Sequence, residues 1–330
     1  MKKTILLLLV FCAALMANAQ AQNDEPTAIL QHGDQATVYT GANAFQLAYN
    51  AAANGDVITL SAGTFNAPTN RLSKSLSIYG AGFEMDETTG TDKTLINGKL
   101  MLESINDAIL EGLYVQGDIE SVYGMTNTII SRCYVTGKIT TFAITDSQIN
   151  QCYIGDAITK GSSANYLATN LHISNSSISW VGNYASPNSI YIDHCLVRDR
   201  FGGSANATNN ANTYTNCIFT GSGTYTANGS LMTNCIYVNE SYVNTQATLT
   251  NCYQVDLADI FADGENADYS VERTYQLQQP NVWVGTDGTP IGPSGGLGWI
   301  KYPSTPVVKD LQLNVESGSI LNINYDAEVR

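Results

Sequence analysis

The sequence predicts an all-β fold: a solenoid, a parallel β-helix of about ten coils at ~20 residues each, closed by a short N-terminal helix and continued by a C-terminal β extension. The first observation behind this is a ladder of similar hexapeptides. In order they are Leu110–Val115 (LEGLYV), Ile130–Val135 (ISRCYV), Ile149–Ile154 (INQCYI), Ile173–Ile178 (ISNSSI), Ile192–Val197 (IDHCLV), Tyr214–Phe219 (YTNCIF), Met232–Tyr237 (MTNCIY) and Leu249–Gln254 (LTNCYQ). Their equivalent positions (Leu113, Cys133, Cys152, Ser176, Cys195, Cys217, Cys235, Cys252) lie 17 to 24 residues apart. Such a drifting period fits coils that accept small loop insertions.

The second observation is a pair of apolar columns. Three residues before the cysteine stand Leu, Ile, Ile, Ile, Ile, Tyr, Met and Leu; two residues after it stand Val, Val, Ile, Ile, Val, Phe, Tyr and Gln. Both columns should face inward, yet the period of a straight strand places only the cysteine and the later column on one side. The chain must therefore bend just before the cysteine. The third observation supplies the bend: that position holds Gly112, Arg132, Gln151, Asn175, His194, Asn216, Asn234 and Asn251. Asparagine is one of the few non-glycine residues that tolerate left-handed backbone angles. Glycines at 117, 137, 155 and 221 then break the second strand.

Taken along the chain, Met1–Ala19 reads as a cleaved signal peptide: Lys2-Lys3, an apolar run from Ile5 to Leu15, then Ala17-Asn18-Ala19, with Ala21 as a second choice of cleavage site. Cys12 does not read as a lipidation site, because Phe11 stands where a small residue is needed. No other stretch approaches transmembrane length. The mature chain is expected in the periplasm, at the cell surface or outside the cell. Residues 20–35 are polar and expected to be loose. Residues 36–275 form the β-helix with its cap: Phe45, Leu47, Ala48, Ala51 and Ala52 make an apolar helical stripe, Asn54-Gly55 stops the helix, and Val57–Leu60 starts the first coil. Residues 276–330 comprise a Gly- and Pro-rich covering loop (Gly285–Pro306) and a hairpin of Val308–Val315 with Ile320–Val329, expected to cover the C-terminal coils.

These segments resemble the right-handed parallel β-helix, or pectin-lyase-like, superfamily of exported bacterial proteins. The resemblance rests on the strand–Asn–strand–Gly coil, on Phe45–Phe65 (FQLAYNAAANGDVITLSAGTF), which looks like that superfamily's entry segment, and on the tail segments Asp259–Tyr269 and Gly285–Gly296. It implies a right-handed solenoid and leaves the activity open, since one fold hosts many functions.

The net charge is −14, and more negative still without Lys2 and Lys3. This argues against nucleic acid and against an anionic membrane as partner. Thr, Asn, Ser and Tyr carry the surface, as they do on extended carbohydrate-binding faces and on exported solenoids generally. An even count of cysteines after the leader would suggest disulfides in an exported chain. In-register side chains on neighbouring coils point the same way, however, so the column is expected to hold free thiols as small apolar filler. A linear ladder also lacks the grouping a metal needs, and no metal site is expected.

The sharpest candidate for chemistry is Ile190–Arg200 (IYIDHCLVRDR), which resembles the Trp-Ile-Asp-His segment of pectate lyases, with Tyr191 in place of the tryptophan. A lyase acting on uronates needs a base for the proton α to a carboxylate and a cation beside the developing charge. The resemblance offers Asp193, His194, Arg198 and Arg200 as catalytic candidates, with Asp193 or Asp199 able to help hold calcium. Asp193 and His194 also occupy the columns that hold Thr-Asn in later coils, so the repeat alone accounts for a polar pair. Asp118, Asp146 and Asp156 could meet as an acid pair across coils, or simply be turn residues; Arg132, Lys138 and Lys160 are basic counterparts.

The long steps flag loops at Gly155–Asn170 and Arg198–Asn212, expected to project. With them, Lys160, Tyr166, Trp180, Tyr184 and Tyr191 are candidate substrate-binding residues walling a shallow glycan groove. Acidic residues from Asp256 to Asp268 lack the spacing of a calcium loop. Two functions are expected. The first is a non-catalytic exported solenoid that binds glycan or builds the cell surface. The alternative is a polysaccharide lyase, or other polysaccharide-active enzyme, acting on a uronate-containing glycan. The oligomeric state is not legible.

Overall fold

In the computed structural model the described residues are 25–87, 90–160, 167–182, 189–199, 212–221, 230–238, 247–264 and 273–303, with the backbone of two strands between 307 and 328. Residues 1–19, expected to be a signal peptide, and Tyr166, Tyr184 and Arg200 lie outside them.

The N-terminal end is closed more thoroughly than expected. Thr27–His32 (β1) pairs antiparallel both with Gln35–Thr40 (β2) and with Val57–Leu60 (β3), so part of the segment expected to be loose is a strand that covers the first rung, with β2 at the edge. Its Ala28, Ile29 and Leu30 are buried. Ala44–Ala51 forms a helix (α1) whose buried residues are Ala44, Phe45, Ala48 and Tyr49. Leu47 is instead 47% exposed and Ala51 is exposed. At 3.6 residues per turn these two positions fall off the face shared by Phe45, Ala48 and Tyr49.

From β3 to Thr248–Thr250, parallel rungs stack in one sheet; from Gly63–Asn66 to Tyr253–Gln254 they stack in a second. Leu100–Asn106, Ile119–Thr126, Ala143–Thr145 and Leu167–Thr169 form a third side to the early coils. The solenoid makes about 8 turns, so the ten coils expected correspond to rungs of the first sheet rather than to turns.

The columns pack as their polarity requires. Cys133, Cys152, Cys195, Cys217 and Cys235 are fully buried, with Ser176 in the same column, and all are part of or sealed against one continuous core. The six described cysteines are free, and each donates to a nearby carbonyl, as Cys217 Sγ does to Thr215 O at 3.2 Å. Burial pushes the Cys133, Cys217 and Cys235 thiols well above the ordinary range. Every residue at the bend has positive φ, 71° at Gly112 and 45° to 55° at the other seven. A second left-handed bend column precedes the first sheet at Asp107, Asn127, Asp146 and Asn170.

After the last rung and a short helix (α2, Leu257–Ile260), the chain turns back along the outside of the solenoid. Ile260, Phe261, Tyr275, Leu277, Trp283 and Ile291 pack on Leu196, Ile218 and Ile236, outward-facing residues of the second sheet, to form a second hydrophobic cluster. Residues 283–303 then run as a strap over the bend column, from Asn216 toward Gly112. Thr286 N donates to Asn216 Oδ1 at 2.9 Å, Asn175 Nδ2 to Gly295 O at 2.6 Å, and Gln151 Nε2 to Gly298 O at 3.1 Å. At the far end, a Cβ on Gly112 would sit 3.1 Å from Pro303. The C-terminal strands, Val307–Glu316 and Ile320–Glu328, form the expected antiparallel hairpin as a sheet of their own. They follow a strap whose last described residue, Pro303, lies by the early coils at Gly82 and Gly112.

Candidate functional site

The coil carrying Asp193, His194 and Arg198 is where the sequence offered its sharpest set of catalytic residues, and the structure places all three in the wall. The rung Ile190–Asp193 ends at the bend, where His194 has φ 48° and its side chain is 1% exposed. His194 Nδ1 lies 2.9 Å from Asp193 Oδ2, and Nε2 lies 3.1 Å from Thr289 Oγ1 in the strap and 3.5 Å from Asp287 Oδ1. Asp193 Oδ1 accepts from Asn216 Nδ2 at 3.0 Å.

Asp193, His194 and Thr289 thus have the spacing of an acid–base–hydroxyl relay. The hydroxyl is not available as a nucleophile, however. Thr289 Oγ1 lies 2.9 Å from both oxygens of Asp287 and accepts from Gly296 N at 2.6 Å. Its single proton goes to the carboxylate, the stronger acceptor. Burial works against the charge on Asp287, but the N–H and hydroxyl of Thr289 and the nearby His194 outweigh it and hold the carboxyl below its usual range. The relay is a fastening.

Arg198 turns back along the solenoid. Its guanidinium donates to Tyr153 Oη at 2.8 Å and to the carbonyls of Ile154 and Gly155, and lies 4.5 Å from the Tyr153 ring centre. Asp199 is exposed. The other titratable candidates are dispersed. Arg132 bridges Glu111 (2.8 Å) and Gln151 (2.9 Å), Lys138 pairs with Asp156 (3.4 Å), and Asp118 accepts from Lys138 N (2.7 Å). Asp146 accepts from Asn170 in the second bend ladder at 2.7 Å. Among the described residues, no three His, Cys, Asp or Glu side chains are grouped to hold a metal ion. Asp263, in the acidic run, pairs with Arg273, which holds its carboxyl below the usual range.

The aromatic candidates divide. Trp180 was expected to wall a groove and is 7% exposed, within the strand Ser177–Gly182. Tyr191 is 40% exposed and stacks on His172, ring centres 4.9 Å apart, on the outer face of the first sheet. Its in-register neighbours on that face are His172 and Thr213, and Gln148 continues the column. Much of Gly155–Asn170 is strand and not a projecting loop: Tyr153–Lys160 and Leu167–Thr169 belong to the sheet, and the backbone of Lys160 pairs with Thr141.

Sequence reasoning missed an aromatic stack on the second sheet. Tyr114 and Tyr134 are parallel at 4.6 Å, and Tyr153 meets Tyr134 edge-on at 5.1 Å. The signal was present one residue after the cysteine, where Tyr114, Tyr134, Tyr153, Leu196, Ile218 and Ile236 make an outward column too apolar for an open surface.

No helix among the described residues is long and apolar enough to cross a membrane. No protein-family model, curated protein or solved structure matches the chain.

Proposed function

We propose that this chain is an exported, non-catalytic solenoid that presents a flat polar face to glycan at the cell surface. The observation that carries this reading is the enclosure of His194: the one imidazole in the catalytic candidate set is sealed beneath the strap, with both nitrogens engaged in holding it. The open surface nearby is the outer face of the first sheet, with Gln148, His172, Tyr191 and Thr213 in adjacent rungs. Thr213 is too short to cover the second face of the Tyr191 ring, and an aromatic face beside amide and hydroxyl groups suits a sugar ring. The acidic chain favours a neutral glycan.

The test pairs binding with turnover. The purified chain is titrated with a panel of neutral and uronate-containing polysaccharides, with and without calcium, while the absorbance of unsaturated product is followed. The expected result is binding that weakens about tenfold in Tyr191→Ala, the loss typical of a well-placed contact residue, with no unsaturated product. Product formation that disappears in Arg198→Ala would replace this reading with the lyase.

A further inference from the structure

We propose that the strap is locked by a proton: a doubly protonated His194 between Asp193 and Asp287 clamps the strap to the bend column, and the clamp loosens when the imidazole loses a proton or Asp287 gains one. The argument is donor and acceptor accounting. Thr289 gives its only hydroxyl proton to Asp287, so its oxygen can only accept from His194 Nε2, which therefore carries hydrogen. On the other side of the ring, Nδ1 faces Asp193 Oδ2 at 2.9 Å, and an ionised carboxylate only accepts. Both nitrogens must donate, and only the imidazolium does so.

The surroundings agree. The ring is buried, where a cation needs compensating charge, and a carboxylate stands on each side of it. The groups packed around it are Asp193 from its own strand, Asp287, Thr289 and the Gly295-Gly296 pair from the strap, and Asn175 and Asn216 from the flanking coils. Of these only the two aspartates titrate. A Cβ on Gly295 would lie 2.7 Å from His194 Cδ2, and one on Gly296 would lie 3.0 Å from Nδ1, so the strap lies flat on the ring. The bend does not itself demand histidine, because Asn175, Asn216, Asn234 and Asn251 make the same turn. What distinguishes position 194 is the Thr289–Asp287 pair that the strap sets against it.

The sign follows from the proton count. A docked strap that requires the charged ring binds one proton more than the released one, so docking weakens as pH rises. It also weakens in acid, as Asp287 is neutralised. Release would withdraw Trp283 and Ile291 from the cluster on Leu196, Ile218 and Ile236 of the second sheet.

Two measurements on the purified chain test this. The ring ¹⁵N spectrum of His194 at pH 7 should show two protonated nitrogens. The opening constant of the strap, obtained from acrylamide quenching of Trp283 and Trp299 read against Trp180 in the solenoid wall, should rise between pH 7 and pH 9 by at most about tenfold per pH unit, the limit that one linked proton sets. In His194→Asn, which keeps a residue the bend accepts, quenching should be constant over that range. A neutral ring at pH 7, or equal pH dependence in the two proteins, overturns the proposal; should the variant not fold, the ring spectrum alone decides.

Discussion

Along the bend column, the stretch from Gly112 to Asn216 lies along the strap and carries Gly, Arg, Gln, Asn, His and Asn, whereas Asn234 and Asn251 lie beyond it and are both asparagine. All eight have the same left-handed backbone. The difference teaches that two separate demands act on one column. The turn selects for residues that tolerate positive φ, and asparagine meets that demand wherever nothing else is asked. Under the strap each side chain must also match a partner: Asn216 the backbone of Thr286, His194 the Thr289–Asp287 pair, Asn175 the carbonyls of Pro293 and Gly295, Gln151 the carbonyl of Gly298. The outer face of the second sheet divides in the same way. Leu196, Ile218 and Ile236 are buried beneath the returning chain, while Tyr114 and Tyr134 are half-buried.

The widest gap between covered and open regions should appear in truncations. Ile218→Ala removes a fully buried side chain from the outer cluster and should destabilise the chain by about 3 kcal/mol in urea unfolding. Tyr114→Ala, at the equivalent position, should cost about 1 kcal/mol because only part of its ring is buried. Similar losses would mean that the outer cluster is not a packed core.

A smaller gap should separate two bends. Asn216→Ala loses the left-handed preference together with bonds to Asp193 and Thr286, about 2 kcal/mol. Asn251→Ala loses chiefly the preference, about 1 kcal/mol. Equal losses would show that the strap adds nothing at Asn216.

Acid should act on the covered side first. Asp263 and Asp287 both have carboxyls held below their unfolded range, so each stabilises the fold above that range, and the contribution disappears as pH falls through their folded values. In Asp287→Asn the loss of stability between pH 5 and pH 3 should be shallower than in the parent. An identical slope would remove Asp287 from the account.

The smallest effect concerns reactivity. A thiol reagent at pH 8 should leave the five fully buried cysteines untouched and modify Cys252, on the last rung, only slowly. Contact with Cys235 and then burial raise the Cys252 thiol above its ordinary range. Urea should expose all six.

Much of the solenoid was legible because its signals are local. The apolar columns and the bend repeat every coil, and each coil restates them. The second bend was equally readable at Asp107, Asn127, Asp146 and Asn170, six residues before the cysteine column. In the helical stripe of α1, Phe45, Ala48 and Ala52 are buried as expected, while Leu47 and Ala51 fall off that face because an eight-residue helix offers few turns from which to fix a phase. The strap was legible as a covering loop at Gly285–Pro306, but not what it covers, since the pairing of Asn216 with Thr286 joins residues far apart in the chain and leaves no period. For the same reason Asp193, His194 and Arg198 looked like free chemistry. Thr289 and Asp287, which engage His194, arrive only when the chain doubles back; Asp193 is held by His194 and by Asn216 of the next coil, and Arg198 reaches Tyr153 across coils.

Amide hydrogen exchange on the purified chain at neutral pH tests the central claim, that the strap is part of the folded wall. The amides of Thr286, Gly292 and Gly296, bonded to Asn216 Oδ1, Asn216 O and Thr289 Oγ1, should be protected as strongly as those of Leu196 and Ile218 in the rungs beneath. Exchange of these three at the rate of an exposed loop, with the rungs still protected, would contradict it and return His194 to solvent.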